Sequence, residues 1–272
     1  MVRQHQAVLI TGVSSGIGLG MARRLIRAGH RVFGSVRSDH RGMELAVALG
    51  SQFRPLVFDV CKQEEIDRAA AELGEALAGA PLAALVNNAG SAEIGPLLHV
   101  APESLRRQLD TLVVGQLRVI QSFFPYLAPE GAAPGRIINI SSVSGVGINR
   151  FFGCYAAGKH GLEGLTKTLR DELTARGVRV VVIAPGNIAT DIWPKQTDTL
   201  IEPYSDSGYY PELVKTLHQI RTNTVKNAMS VEEFCEVFYA IFRNGKPADR
   251  YTVVKKRRRR FLSRLRVRVI EG

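Results

Sequence analysis

A tyrosine and a lysine four residues apart form a chemically distinctive pair in this sequence. Tyr155 and Lys159 lie in a segment that continues as a helix, so their side chains are expected to share one helical face. An unperturbed tyrosine titrates at about pH 10 and is a poor base at neutral pH. A lysine ammonium about 4 Å away would lower the tyrosine pKa by about two to three units. The pair predicts a phenol that exchanges a proton with an alcohol or carbonyl oxygen.

A serine thirteen residues before Tyr155 would complete a catalytic group. Ser142 follows the predicted strand Arg136–Ile140, where its hydroxyl can donate a hydrogen bond to the same substrate oxygen. Each feature alone has an ordinary alternative, because Tyr-x-x-x-Lys pairs occur on solvated helix faces and serines often form turns at strand ends. Together they make Ser142, Tyr155 and Lys159 the candidate catalytic residues.

A glycine-rich loop joins the first predicted strand, Ala7–Ile10, to the helix that follows it. Gly12 permits a tight turn, Gly16 allows close approach of a pyrophosphate, and Gly18 allows the helix to pack closely. The helix N-terminus would present free N–H groups and a partial positive charge to the phosphates. The alternative is a glycine-rich turn without a ligand. The loop residues expected at a dinucleotide are Gly12, Ser14, Ser15, Gly16, Ile17 and Gly18.

Residues at the ends of the third and fourth predicted strands extend this cofactor site. Asp59 and Val60 end the third strand, where the carboxylate can accept a hydrogen bond from an adenine amino group. The alternative for Asp59 is a helix N-cap. Asn87, Ala89 and Gly90 follow the fourth strand, at the carboxyl edge where such sheets bind ligands. A turn that only satisfies the backbone is the alternative there.

The end of the second predicted strand bears on the choice of cofactor. An NAD site usually has Asp or Glu here for the ribose 2′-hydroxyl, but Ser35 and Val36 occupy these positions. Arg37 is instead available for a charge-assisted bidentate contact with a 2′-phosphate. The sequence therefore favours NADP(H) over NAD, and a solvated loop charge is the alternative for Arg37.

Five motifs occur in order at suitable intervals and give the sequence a recognisable pattern. They are Thr11–Gly18, Asn87–Gly90, Ser142, Tyr155-x-x-x-Lys159 and Pro185–Thr190. In this combination the sequence resembles the short-chain dehydrogenase/reductase family over roughly residues 7–254. The run Tyr155–Trp193 is most similar to the branch that acts on steroids, retinoids and other lipophilic alcohols.

The resemblance implies a role for each candidate residue. Ser142 would orient the substrate, Tyr155 would act as acid and base, and Lys159 would bind the nicotinamide ribose and tune the tyrosine. The nicotinamide carboxamide would be held by Pro185, Gly186, the Ile188 backbone and the Thr190 hydroxyl. The implied function is an NADP(H)-dependent oxidoreductase that interconverts an alcohol and a ketone or aldehyde on a lipophilic small molecule. A homodimer or homotetramer is also implied, with the predicted helix Leu105–Leu127 as a candidate contact.

One departure from the family pattern opens an alternative function. The family usually has an asparagine three residues before a glycine in this region, where it holds a water in a proton relay, but here Leu112 precedes Gly115. Leucine has no hydrogen-bonding side chain, so the relay would be rerouted or turnover reduced. The alternative is a cofactor-binding scaffold or nucleotide sensor with weak or no catalysis. An epimerase or dehydratase is disfavoured, because little chain remains after Val254 for a larger substrate domain.

An alternation of strands and helices would position these motifs. Short apolar runs typical of buried strands are Ala7–Ile10, Arg31–Val36, Phe53–Phe58, Ala83–Val86, Arg136–Ile140, Val178–Ile183 and Arg250–Val254. Helical segments between them are Ile17–Ala28, Gln63–Leu77, Leu105–Leu127, Gly161–Ala175 and Val231–Phe242. The pattern predicts an α/β fold: a single Rossmann-like, doubly wound parallel sheet with helices on both faces, in one domain over residues 1–254. An irregular insert at about residues 187–224 is expected to form a substrate lid.

The composition excludes several other classes of protein. Of 272 residues, 45% are hydrophobic and 22% are charged, which argues against disordered, collagen-like and coiled-coil chains. Three cysteines without a Cys-x-x-Cys pair, and six histidines without ligand spacing, indicate neither a disulfide framework nor a metal site. No apolar run approaches the roughly 20 residues that span a bilayer, and no signal peptide is evident. A cytoplasmic location is expected.

Positive charge is concentrated at the C-terminus. The net charge is +11, but residues 255–272 contain nine Lys/Arg and one Glu, which leaves 27 basic and 24 acidic residues elsewhere. Bulky apolar residues are interspersed with the basic ones, which suits an anionic membrane surface at ~1 kcal/mol per basic residue. A solvated, disordered tail is the alternative. Nucleic-acid binding is disfavoured, because the rest of the chain carries no supporting motif.

Overall fold

Eight strands form one sheet within the described residues, which in this computed structural model are 6–190, 201–255 and 268–269. The strands are β1 (Ala7–Ile10), β2 (Arg31–Val36), β3 (Phe53–Val57), β4 (Leu82–Asn87), β5 (Arg136–Ile140), β6 (Arg179–Pro185), β7 (Arg250–Val253) and β8 (Arg268–Val269). Their order is β3-β2-β1-β4-β5-β6-β7-β8, with β1 to β7 parallel and β8 antiparallel to β7. This confirms the predicted doubly wound sheet, whose order changes direction between β1 and β4, the place where such sheets bind dinucleotides.

Helices cover both faces of the sheet. Within the described residues they are α1 (Gly16–Arg27), α2 (Asp39–Leu49), α3 (Gln63–Leu77), α4 (Pro102–Leu109), α5 (Gly115–Leu127), α6 (Gly153–Thr174), α7 (Tyr210–Asn227) and α8 (Val231–Arg243). On one face Val8 lies in a buried cluster with Met21 of α1 and Phe238 of α8. On the other face Leu9 lies in a cluster with Phe123 of α5. Consecutive strand residues point to opposite faces of the sheet. Because helices cover each face, the residues on both faces must be apolar, which explains the continuous apolar runs.

The predicted helix Leu105–Leu127 is interrupted. A π-helical turn, Asp110–Val114, separates α4 from α5. The Gln116 side-chain amide donates to the Thr111 carbonyl oxygen at 3.0 Å and to that of Ala89 at 2.9 Å. The Gln116 side chain thus donates to a carbonyl oxygen within the π-helical turn, and it links this turn to the segment after β4. Such turns are frequent at functional sites.

The helix that carries the Tyr-Lys pair is longer than predicted. Instead of Gly161–Ala175, α6 spans Gly153–Thr174. Tyr155 and Lys159 therefore lie in its first two turns, on the same face and close to the end of β5. The strand Arg136–Ile140 was predicted with the observed bounds.

Two further helices differ from the sequence-based expectation. α2, between β2 and β3, was not predicted, and the insert expected to be irregular over residues 187–224 contains a 3-10 turn at Glu202–Tyr204 and most of α7. Trp193 and the rest of residues 191–200 lie outside the described residues. So does the basic tail apart from Lys255 and the two residues of β8.

Candidate active site

The glycine loop, residues 11–18, turns sharply between β1 and α1. Gly12 and Gly16 have φ of +72° and +58°, a backbone region that disfavours other residues. A Cβ atom at Gly12 would lie 2.9 Å from the Cα of Ala89, and one at Gly18 would lie 2.2 Å from the Gly12 carbonyl oxygen. Close backbone approach therefore requires glycine at Gly12 and Gly18, as the spacing predicted.

Side chains from neighbouring strands hold the glycine loop in place. The Gly12 N–H donates to Ser35 Oγ at 2.9 Å. The Asn88 side-chain amide donates to the carbonyl oxygens of Thr11 and Gly12 at 2.9 and 3.0 Å. The backbone N–H groups of Asn88 and Ala89 donate to Thr11 Oγ1, each at 2.9 Å. The supporting roles of Thr11, Ser35 and Asn88 were not predicted from the sequence, although Asn88 lies within the Asn-Asn-Ala-Gly motif, Asn87–Gly90.

The first turn of α1 begins within this loop. Ser15 is the N-cap residue, and its side chain makes no capping hydrogen bond. The Leu19 N–H makes the first α-helical bond, to the Ser15 carbonyl oxygen at 3.2 Å. Ile17, in the first turn, is partly buried. The preceding N–H groups and the positive end of the helix dipole thus face the loop, an arrangement that suits an anion.

A different arginine from the predicted one contacts the loop. Arg41 of α2 donates to the Ser14 carbonyl oxygen from Nε at 3.2 Å and from Nη2 at 2.7 Å. It also pairs with Glu44 at 2.8 Å. Arg37 is exposed at the end of β2. Two guanidinium groups therefore stand at the end of β2 and the start of α2, where the sequence predicted one.

Residues after β3 and within β4 have side chains occupied by structural bonds. Asp59 Oδ1 accepts from the Cys61 N–H at 2.9 Å, which forms a turn rather than a helix N-cap. Val60 is buried. The Asn87 amide is buried in the sheet and donates to Asn139 Oδ1 at 2.9 Å. The Oδ1 atom of Asn87 is buried and has no hydrogen-bond partner among the described residues.

The three candidate catalytic residues converge at the end of β5. Ser142 is the N-cap of a 3-10 turn and its Oγ accepts from the Ser144 N–H at 3.1 Å. Its hydroxyl also hydrogen-bonds to Tyr155. Lys159 is only 5% exposed, and its Nζ donates to the Ile140 carbonyl oxygen at 2.7 Å and lies 5.8 Å from the centroid of the Tyr155 ring. Two turns of α6 and one strand end thus assemble the group that the spacing predicted.

The electrostatics of this group differ from the sequence-based expectation. Burial raises the pKa of Tyr155, and the hydrogen bond with Ser142 only partly opposes this. Burial also lowers the pKa of Lys159 to about 8, with the nearby Glu163 carboxylate acting in the opposite direction. The predicted lowering of the tyrosine pKa by the lysine was wrong for this structure. The physical reason is that the phenol is buried, so the cost of desolvating its charged form raises the pKa by more than the Ser142 hydrogen bond lowers it.

Leu112 fills the space between Gly90 and Gly158. It lies in the π-helical turn and is 1% exposed. A Cβ atom at Gly90 or at Gly158 would lie 2.8 Å from a methyl group of Leu112. Leu112 is therefore wedged between the end of the Asn-Asn-Ala-Gly motif and the residue that precedes Lys159. The side chain between these two glycines is therefore apolar.

The segment after β6 passes over the glycine loop. The Gly186 N–H donates to the Val253 carbonyl oxygen at 2.9 Å, which ties the end of β6 at Pro185 to β7. A Cβ atom at Gly16 would lie 3.7 Å from the Thr190 methyl group. Ile188 is buried and forms a β-bridge with Met229. The predicted carboxamide-binding segment and the predicted phosphate-binding loop are therefore adjacent.

A small apolar cluster adjoins Tyr155. Its buried members are Ile94, Phe151, Phe152, Ile201, Leu213 and Leu217, and the rings of Tyr155, Tyr204, Tyr209 and Tyr210 pack against them. Phe151 has φ of +68° and its carbonyl oxygen accepts from the Gly95 N–H at 2.9 Å. Strained backbone of this kind is often found at functional sites. We refer to these six buried residues as the apolar cluster.

The part of the chain that the structure describes contains no group of three or more His, Cys, Asp or Glu side chains placed to bind a metal. In the same part, every helix is too short or too polar to cross a lipid bilayer.

Comparison with known proteins gives consistent matches. The family model described as short chain dehydrogenase matches residues 6–200. The NADPH-dependent 3-dehydrocapnine reductase of Ornithobacterium rhinotracheale is 35% identical over 92% of this chain and 88% of its own. Retinol dehydrogenase 16 of Mus musculus is 30% identical over 86% of this chain and 76% of its own. A solved variant of actinorhodin polyketide ketoreductase with NADPH has a TM-score of 0.78, with 27% identity over 94% of this chain and 98% of that one.

Proposed function

The chain belongs to the short chain dehydrogenase family, and on that premise we propose that it is an NADP(H)-dependent oxidoreductase. Its proposed reaction interconverts an alcohol and a ketone or aldehyde on a lipophilic small molecule. The observation that carries the proposal is the convergence of Ser142, Tyr155 and Lys159 at the end of β5, at the edge of the sheet that also holds the glycine loop. Composition or fold alone would support only the family.

The glycine loop fits a dinucleotide. Gly12 and Gly16 have positive φ, the first turn of α1 begins at this loop, and at Gly16 the nearest atom to an added Cβ is the Thr190 methyl group at 3.7 Å. We propose that Arg37 and Arg41 favour a 2′-phosphate and hence NADP(H). In support, one relative is named NADPH-dependent, and the ketoreductase structure holds NADPH.

Further residues would hold the rest of the cofactor. Asp59 and Val60 would contact the adenine, and the backbone of Asn87, Ala89 and Gly90 would line the ribose side. The segment from Pro185 to Thr190, through the Ile188 backbone and the Thr190 hydroxyl, would bind the carboxamide. When bound, the nicotinamide supplies or accepts the hydride.

Tyr155 would exchange the proton in this reaction. Because its pKa is raised by burial, the phenol carries its proton at neutral pH and is ready to donate it to a carbonyl oxygen. The Ser142 hydroxyl would donate a second hydrogen bond to that oxygen. The Lys159 ammonium would bind the ribose and stabilise the phenolate that remains after proton transfer.

The apolar cluster supports a lipophilic substrate. Its six buried side chains lie beside the tyrosine ring and present almost no polar group to a ligand. We propose that α7 and the preceding turn belong to the substrate lid. The similarity to retinol dehydrogenase 16 is consistent with such a substrate class.

The proposal is tested by NADPH consumption against a panel of lipophilic ketones and aldehydes. Tyr155→Phe should reduce kcat by about 10²–10⁴-fold, because positioned proton transfer contributes that much. Tyr126→Phe is the matched control, since Tyr126 packs against Gly74 of α3, away from the site. Turnover of no substrate, or full activity of Tyr155→Phe, would contradict the proposal.

The second candidate function is a cofactor-binding sensor or scaffold, and Leu112 is the observation that favours it. The family resemblance implies an asparagine at this position, and here the residue is a buried leucine packed against Gly158, which precedes Lys159. Tight NADPH binding without turnover, together with activity gained by Leu112→Asn, would support this function over the first.

A further inference from the structure

One face of α6 carries three ionisable side chains at successive four-residue intervals. Tyr155, Lys159 and Glu163 stand one above the other on this face. The first hydrogen-bonds to Ser142 and the second donates to the Ile140 carbonyl oxygen. The third residue has no part in the mechanism described so far.

Glu163 is a buried carboxylate with a fixed orientation. Its side chain is 15% exposed, and its partner Arg250 of β7 is 13% exposed. Arg250 Nε lies 3.1 Å from Oε2 and Nη2 lies 3.2 Å from Oε1 of Glu163, a bidentate arrangement. Arg250 Nη1 also donates to Thr252 Oγ1 at 2.7 Å. Burying two charges costs free energy that their attraction often does not recover, so stability alone is a weak reason for this pair.

The turn after β5 lies next to the Glu163 carboxylate and to the end of β5, where the candidate catalytic residues meet. A Cβ atom at Gly145 would lie 3.0 Å from Glu163 Oε1 and 2.6 Å from Ser141 Oγ. Ser141 follows Ile140, whose carbonyl oxygen receives the Lys159 ammonium. Glycine at this position therefore allows Glu163 to approach the same strand end as Lys159.

The groups around Lys159 leave Glu163 as its acidic neighbour among the described residues. α6 contributes Tyr155 and Glu163, and the end of β5 contributes only a carbonyl oxygen and serine hydroxyls. The π-helical turn contributes the apolar Leu112. β7 contributes Arg250, whose guanidinium is bound to Glu163. Burial lowers the pKa of Lys159 to about 8, and Glu163 opposes that effect.

Resting on the proposed function, we propose that Glu163 is a positioning residue for the reaction. Its carboxylate, oriented by Arg250, keeps the Lys159 side chain in its ammonium form and seated on the Ile140 carbonyl. The negative charge of Glu163 thereby opposes the effect of burial, which favours the neutral amine.

The direct test is NMR titration of ¹³Cε-labelled lysine in the full chain, with Lys159 assigned by Lys159→Arg. Glu163→Gln should lower the pKa of Lys159 by on the order of one unit, a tenfold fall in the ratio of ammonium to amine. Glu172→Gln, which removes the same charge from an exposed position on α6, should leave that pKa unchanged. An unchanged titration in Glu163→Gln would overturn the proposal.

The pH profile of NADPH-dependent reduction gives a second readout. Lys159 is charged below its pKa of about 8, so kcat/KM should fall as the pH rises through that value. In Glu163→Gln, kcat/KM should begin to fall at a lower pH, and the difference should equal the shift in the Lys159 pKa measured by NMR. In Glu163→Asp, the pH of this fall should return part of the way to the wild-type value. A parallel loss of activity at every pH would indicate a merely structural role and would overturn the proposal.

A double variant separates charge from folding. Glu163→Gln leaves Arg250 buried without its partner, whereas Glu163→Gln with Arg250→Met removes both charges. The double variant should recover unfolding stability and keep the lowered pKa of Lys159. Recovery of the wild-type pKa in the double variant would overturn the proposal. If the pKa of Lys159 shifts as expected but no carbonyl compound is reduced, the effect of Glu163 on Lys159 is supported and the proposed function fails.

Discussion

The glycine loop and the apolar cluster both adjoin the candidate catalytic group, but different interactions hold them. In the loop, hydrogen bonds from Asn88, Ser35 and Thr11 fix individual backbone atoms. In the cluster, apolar side chains from distant segments such as Ile94 and Leu213 pack against one another. Fixed backbone geometry suits a cofactor of constant shape, whereas apolar packing can adapt to different substrates. Substitutions in the two regions should therefore have separable effects.

The largest combined effect on stability and on NADPH binding is expected from Gly18→Ala. The new Cβ would lie 2.2 Å from the Gly12 carbonyl oxygen, and backbone cannot move aside as a flexible side chain can. We expect a loss of about 3 kcal/mol in the free energy of unfolding and at least about tenfold weaker NADPH binding. Urea denaturation and NADPH fluorescence titration measure the two quantities.

The matched control is Gly164→Ala in α6, where nothing lies within 4 Å of the added Cβ. It should stabilise the chain by about 0.5–1 kcal/mol, because alanine is the better helix former. Similar behaviour of the two variants would mean that close approach does not shape the loop.

Leu213→Ala should break the apolar cluster and leave the glycine loop intact. Leu213 is fully buried, so a loss of about 2–5 kcal/mol in unfolding free energy is expected. The KM for a lipophilic carbonyl should rise while the Kd for NADPH stays within about twofold. Leu73 belongs to α3 and to a different buried cluster. Leu73→Ala should therefore lose similar stability without the change in KM. Weaker NADPH binding in Leu213→Ala would show that the two regions are coupled.

Thr11→Val should have the smallest of these effects. The isosteric change removes the oxygen that accepts from the N–H groups of Asn88 and Ala89. We expect a loss of about 2 kcal/mol in unfolding free energy, together with weaker NADPH binding. Thr166→Val, also fully buried but in α6, should lose stability with no change in NADPH affinity. Equal effects of both variants on affinity would contradict a specific role for Thr11.

The comparison also explains which features the sequence could predict. The sharp turn at the glycine loop was predicted correctly because turn geometry depends on a few neighbouring residues, whereas the contact of Gly12, Gly16 and Gly18 with a dinucleotide stays a prediction. Tyr155 and Lys159 were paired correctly because four-residue spacing determines a shared helix face. The doubly wound parallel sheet was predicted from alternating strands and helices, and β1, β2 and β5 have the predicted bounds.

What the sequence could not predict depends on contacts between distant residues. The π-helical turn involves a bond from Gln116 to Ala89, 27 residues away, and the Glu163–Arg250 pair joins residues 87 apart. The predicted direction of the Tyr155 pKa shift was wrong, because burial by the surrounding elements raises this pKa and outweighs the hydrogen bond from Ser142. Helix α7 was missed because its apolar face packs against a cluster gathered from other segments.

The central claim is that the Tyr155 hydroxyl transfers the proton at a site organised by Ser142 and Lys159. Rapid-mixing single turnover with saturating NADPH and a carbonyl substrate separates hydride transfer from cofactor binding. For Tyr155→Phe, the account predicts an NADPH Kd within about threefold of wild type and a transfer step slower by at least about 100-fold. A transfer rate equal to that of the wild type, with NADPH bound normally, would contradict it.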